Sequence, residues 1–222
     1  MLKLLLIYSY LTLPLCFLIS KGKIKEGLLL LLAVYGVIFF CLLNYFDLIF
    51  QTIEKYYHSA YTFLEYSAFT FIFWVNIRNK FFRRFIILIS IVFFLFQIYY
   101  VNSASVERMD SIPIGIETIL IFIYIFYFLF DFSKNAKDTF IYNHYCFWLS
   151  VGILIYLGGS FFYYILVNNL EHEDVIRFGN LTYVAEIIKN LLFCIAIFIY
   201  KKSTANKIHN NLPKKIPNLD MI

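Results

Sequence analysis

Seven stretches of largely apolar residues, joined by short charged connections, leave this chain few ways to fold. They cover residues 2–20, 27–45, 58–76, 85–100, 112–132, 147–167 and 181–200. A helix needs about 20 apolar residues to cross the hydrocarbon of a bilayer. The sequence therefore predicts an all-α integral membrane protein, a seven-transmembrane-helix bundle over residues 1–200, followed by a basic cytoplasmic tail over 201–222. Composition agrees: 62% of the residues are hydrophobic and the mean hydropathy is +0.76, against roughly 45–50% apolar residues in a soluble domain. The first stretch has only Lys3 before it, no small-residue cleavage site, and Lys21, Lys23 and Lys25 directly after it. That is a stop-transfer pattern, so it reads as a span and not as a signal peptide.

The net charge of +5 is no nucleic-acid signature, because the basic residues cluster in short loops beside apolar stretches, where membrane topology is written. With the N-terminus outside, the inner segments carry Lys21, Lys23, Lys25, Arg78, Lys80, Arg83, Arg84, Lys134, Lys137, Lys201, Lys202, Lys207, Lys214 and Lys215. The outer ones carry only Lys3, Lys55, Arg108 and Arg177. Every inner segment is basic, so the prediction is N-terminus outside and C-terminus cytoplasmic.

Local signals refine the picture. Residues 44–57 mix apolar side chains with Asp47, Gln51 and Glu54, which predicts an amphipathic helix on the outer surface, or else a longer second span. Pro14 is placed to kink the first span. Pro113 falls where the fifth begins and its missing N–H costs nothing. Gly158, Gly159 and Ser160 form a small-residue patch suited to close helix approach or to a hinge. Cys16, Cys41, Cys146 and Cys194 have no metal-binding spacing and read as small hydrophobes.

Four ionisable residues interrupt the apolar stretches: Glu65, Glu117, Glu186 and Lys189. Each costs roughly 2.5–3.5 kcal/mol on insertion scales, so each needs a partner or a wet cavity. Counted from the outer ends of their spans they fall about 6–12 Å deep, with Gln97 of the fourth span near the same level. Glu186 and Lys189 are three apart, share a helix face and can pair. Glu65 or Glu117 is a second candidate partner for the lysine. One lysine cannot neutralise three carboxylates, so at least one glutamate should hold a proton, face water or meet a bound cation. The cluster reads as a site for a small polar ligand or ion, as an ion pair that fixes packing, or, for Glu117, as an interfacial carboxylate. Tyr61, Tyr66, Tyr156, Tyr163 and Tyr183 are placed to add hydroxyls.

Enzyme signatures are missing: there is no GxSxG elbow, HExxH, GxGD or P-loop. His58 and His172 fall outside and His144 and His209 inside, which separates any three-histidine site. No metal centre or cofactor is expected. Microbial rhodopsins share the seven-span topology, and Glu65, Glu186 and Lys189 are similar in placement to that family's acids and retinal lysine. The i,i+3 spacing of Glu186 and Lys189, and a sixth span without proline, depart from it, so retinal is not carried over. Small sugar transporters built as three helices, a linker helix and three helices have a similar length, and Tyr61–Glu65 and Tyr183–Glu186 look alike as a repeat would require. Their Pro–Gln signature is absent. The runs FWLSVGILIYLGGS from Phe147, IKNLLFCIAI from Ile188 and YTFLE from Tyr61 resemble small seven-span proteins of unknown function from Bacteroidota. That resemblance implies a topology and a bacterial inner membrane, and associates the chain with sensor kinases through gene neighbourhood alone.

The expectation from the sequence is thus a membrane sensor with a polar pocket in the outer half of the bundle, in contact with lipid and with a cytoplasmic signalling partner. A small-molecule or ion transporter or channel is the alternative. The inner half looks dry, with only Thr70 in the third span and Cys194 in the seventh, which disfavours conduction. An oligomeric membrane effector, for instance in antiviral defence, is a further alternative, and the oligomeric state is left open.

Overall fold

The apolar stretches fold as helices because a continuous apolar run can satisfy its backbone only through its own i to i−4 bonds. The computed structural model describes residues 1–20, 26–49, 54–103, 111–135, 140–166 and 171–211. They form seven α-helices: α1 (Leu2–Ile19), α2 (Gly27–Ile49), α3 (Glu54–Asn76), α4 (Lys80–Ser103), α5 (Ser111–Asn135), α6 (Tyr145–Leu166) and α7 (His172–Asn211). A short 3-10 turn, Ile141–Asn143, precedes α6, and the described residues contain no strand. Six helices, all but α3, are long and apolar enough to cross a membrane. The basic residues 21–25, Lys137, Lys214 and Lys215, and the outer Arg108, lie outside the described residues, as does 212–222.

The ends follow local rules. Asn79 caps α4, its Oδ1 accepting from the N–H of Phe81 at 2.9 Å. Pro113 lies in the first turn of α5, and Glu173 and Asp174 meet the positive end of α7. Three boundaries differ from the sequence reading. Residues 44–49 continue α2, and 54–57 already belong to α3, so the described part of 44–57 forms no separate helix; residues 50–53 lie outside the described residues. Helix α7 begins nine residues earlier than expected and runs on through Lys201 to Asn211, so the segment after residue 200 starts as helix. Neither extension is apolar, and hydropathy therefore missed both.

Helix α7 packs between α1 and α6, α2 lies against α1, and α5 against α6; α3 packs on α5 and α4 and more lightly on α2 and α6. The distribution of side chains is inverted relative to a water-soluble protein. Glu65, Glu117, Glu186, Lys189 and Asn190 are buried, while Leu88, Ile91, Val92, Leu95 and Ile98 of α4 are exposed. This is the arrangement of a membrane protein, with lipid outside and polar contacts between helices.

Glycines set two close contacts. A Cβ on Gly36 of α2 would lie 2.6 Å from the Tyr10 carbonyl oxygen of α1. Pro14, four residues on, has no N–H for that carbonyl; α1 runs on through it, and the proline instead marks where α2 comes nearest. In the small-residue patch Gly159 faces α7, where a Cβ would meet that of Ala185 at 3.2 Å, whereas one on Gly158 would meet nothing nearer than Phe122 at 3.8 Å. At the end of the bundle where α1 finishes, Lys201 of α7 donates to Glu26, just before α2, at 2.9 and 3.0 Å. Both side chains are partly solvated, so Lys201→Ala should lower stability by no more than about 1 kcal/mol. Equilibrium unfolding in detergent checks this, and the small difference should vanish in high salt.

Candidate functional site

Lysine 189 is wholly buried, and each of its three N–H bonds has a destination. Its Nζ donates to the Tyr35 hydroxyl at 2.8 Å and to the Tyr10 hydroxyl at 3.3 Å. It also stands 4.0 Å from the ring centre of Tyr156, a cation–π contact. The carboxylates form the next ring outward. Glu65 Oε1 is 3.6 Å from the ammonium and Glu186 Oε1 is 3.7 Å from it. The tyrosines relay between them: Tyr35 accepts from Lys189 and donates to Glu65 at 3.3 Å, and Tyr10 accepts from Lys189 and donates to Glu186. Tyr156 donates to Glu65 Oε2 and Tyr61 to Glu186 Oε1, each at 2.9 Å. Five helices thus converge on one ammonium: α1, α2, α3, α6 and α7. Burial in low dielectric is tolerable only with such complete partnering.

The centre lies well along each helix that forms it. Tyr10 is midway along α1, and Lys189 is twelve residues, about 18 Å, from the Lys201 level. Glu65 stands eleven residues past the start of α3, and Glu186 fourteen past the start of α7, counted from the end where the chain begins. Glu117, six residues into α5, stays near that end.

Above this ionic floor is a cavity of about 370 Å³. Glu65 and Glu186 form its base, and Glu117, Tyr61, Tyr163, Tyr164 and Tyr183 are among its walls; Lys3, Leu43, His58, Ile114 and Val175 bring it to the end of the bundle where α1, α3, α5 and α7 begin. Lys3 is exposed, so the cavity reaches the surface there. Its volume is in the range of small-molecule sites.

Glu117 differs from the other two acids. It is 1% exposed, lines the cavity, and its Oε1 has no hydrogen-bond partner. That burial removes the reading of Glu117 as an interfacial carboxylate. Gln97 is not part of the cavity. Its Nε2 donates to the Ser59 carbonyl at 2.8 Å and the Ser59 hydroxyl at 3.2 Å, joining α4 to α3. Tyr66 also turns elsewhere, to Ser90 at 2.9 Å and Tyr124 at 3.1 Å.

Sequence reasoning passed over Tyr10, Tyr35, Tyr164 and Asn190. Asn190 is buried beside Lys189 and donates to Ser9 Oγ at 2.8 Å, and Thr12 meets Cys194 at 3.3 Å. Polar contacts between α1 and α7 thus continue past the lysine, and that interface is wetter in composition than the α7 sequence alone suggests. The clue was the run Ser9, Tyr10, Thr12 inside the first apolar stretch. No protein-family model, curated protein or solved structure matches this chain. The fold and the buried centre define it as a helical membrane protein with an ion-paired core under an acidic, tyrosine-walled cavity.

Proposed function

We propose that the chain is a receptor-type sensor: a seven-span bundle of a bacterial inner membrane, N-terminus outside, whose cavity takes a small polar ligand or ion from the outer side. The cytoplasmic loops and the basic end of α7 would then report occupancy to a signalling partner. The seven-span count is supported by α3. Its polar residues keep it below the hydropathy of a span, yet Tyr57, Thr62, Glu65, Tyr66, Phe69, Thr70, Ile72 and Phe73 are buried within the bundle while Phe63 and Phe71 are exposed on its outer side, as a helix packed at the bundle wall would be. The orientation rests on the distribution of basic residues.

One observation carries the ligand reading. Glu65 and Glu186 are committed to Lys189 and to tyrosine hydroxyls, while Glu117 is buried at the cavity wall with an unpartnered oxygen. Packing accounts for the floor and leaves Glu117 unaccounted for. A transporter would need the cavity to continue to the other end. The contacts of Ser9, Thr12, Asn190 and Cys194 extend the polar set that way, but those hydroxyls are bound within their own helix, Ser9 to the Leu6 carbonyl and Thr12 to the Ser9 carbonyl.

The test is ligand-dependent melting of the detergent-purified protein. A ligand at 100 times its Kd should stabilise the wild type by about 2.7 kcal/mol. Glu117→Gln should melt no lower than wild type without ligand and should lose most of that gain. A library of polar solutes and ions that leaves wild-type melting unchanged would sink the reading, and saturable flux in proteoliposomes would replace it with transport.

A further inference from the structure

The receptor reading leaves the chemical class of the ligand open, and the charge layout of the cavity narrows it. Three carboxylates line the space: Glu65, Glu117 and Glu186. Lys189, the one buried cation among the described residues, lies under the floor with its ammonium held by Tyr10, Tyr35 and the Tyr156 ring. An anionic ligand would meet the three acids first, with the buried ammonium beyond them already donating to Tyr10 and Tyr35. Lys3 at the mouth is exposed, where water and salt screen it. A cation meets the opposite: an unpartnered carboxylate oxygen on Glu117, 1% exposed. A bare metal ion suits the site poorly. Among the described residues no three His, Cys, Asp or Glu side chains converge on a metal-sized point, and about 370 Å³ is far more space than an ion fills. The rest of the wall is aromatic, with Tyr57, Tyr61, Tyr156, Tyr163, Tyr164 and Tyr183. Tyrosine faces attract organic ammonium groups, and do so more strongly when both are desolvated.

We propose that the cavity binds a small organic monocation, an alkylammonium or quaternary ammonium compound whose charged head is held by Glu117 within the tyrosine wall. This inference rests on the receptor reading. The ammonium could belong to a free solute or to a lipid headgroup entering from the outer leaflet, since both present the same charge and size.

The experiment is a binding titration with purified full-length protein in nanodiscs of phosphatidylglycerol, a lipid without an ammonium group. The compounds are choline, butylammonium, the neutral choline isostere 3,3-dimethylbutan-1-ol, and butyrate. Choline or butylammonium should bind saturably and raise the melting temperature, with the isostere and butyrate at least tenfold weaker. Glu117→Gln should weaken the cation at least tenfold, and Glu117→Asp, which keeps the charge, should recover part of it. Glu117 has no hydrogen bond to lose at Oε1, so the Gln variant should fold; Tyr183→Leu, a change in the tyrosine wall that keeps all three acids, gives a second loss of cation affinity if it does not. Repeating the titration in phosphatidylethanolamine discs separates the sources: weaker apparent choline binding there identifies headgroup competition, and unchanged binding identifies a soluble amine. If the isostere or butyrate binds wild type as well as the cations, or if Glu117→Gln binds cations like wild type, the monocation is wrong while the receptor reading survives. If none of the four compounds binds wild type, the monocation is wrong, and the receptor reading falls with it only if the wider library of polar solutes and ions also leaves melting unchanged.

Discussion

Lys189→Met should lower stability by about 3–5 kcal/mol, the usual cost of stripping one partner from a buried ion cluster. Among the described residues the substitution removes the one positive charge paired with Glu65 and Glu186 at the core, and it removes the donor to the Tyr10 and Tyr35 hydroxyls. The carboxylates can respond only by taking protons or by drawing in water, and either change disturbs helices from five parts of the chain. Glu65→Gln alone should cost less, about 1–3 kcal/mol, because Glu186 still faces the ammonium. The triple variant Glu65→Gln, Glu186→Gln, Lys189→Met should recover much of the loss, since a neutral core has no orphaned charge. Equilibrium unfolding in detergent, with the four proteins side by side, reads this directly. A Lys189→Met protein as stable as wild type would mean that the lysine contributes no net charge to the fold.

The second large effect is expected at Gly36. Its Cβ position is 2.6 Å from the Tyr10 carbonyl, 2.9 Å from Pro14 Cδ and 3.0 Å from Leu13 Cβ. The first of these is backbone, which cannot swing aside. Gly36→Ala should therefore force α1 and α2 apart and cost about 1–3 kcal/mol, as overpacking does; Gly36→Leu should cost more. The damage will not stay local. Tyr10 is the residue in contact and Tyr35 is next to the glycine, and both hydroxyls reach Lys189. The alanine variant should thus also weaken binding in the cavity above. Gly27→Ala is the control, because a Cβ there meets nothing within 4 Å. Equal melting of the two variants would show that the α1–α2 contact is looser than 2.6 Å implies.

Parts of this layout were legible in the sequence for definite reasons. The i,i+3 spacing fixes Glu186 and Lys189 on one face of α7; the second partner was open between Glu65 and Glu117, and packing of α3 on the bundle decides it as Glu65. Gln97 could not be placed by depth alone. Its level in the membrane was readable, but α4 packs outside α3 and α5, so the amide meets Ser59. Tyr10 and Tyr35 were hidden for a related reason. A helix apolar on every side carries no stripe to reveal which face turns inward, and with 19 tyrosines in the chain no single one stands out. The polar ends of α7 were unreadable by hydropathy, since nothing apolar marks them as helix.

Helix α7 is a single rod of 40 residues, about 60 Å long, against about 30 Å of bilayer hydrocarbon. The ammonium of Lys189 is fixed near its middle, and from there to Asn211 the rod continues for about 33 Å. Movement at the cavity floor is therefore geared up along the rod. A tilt of about 5° at Lys189 carries the far end roughly 3 Å, nearly a full residue spacing along a chain. A sub-ångström rearrangement of carboxylates would reach the far end of the rod as a displacement large enough to make or break a side-chain contact.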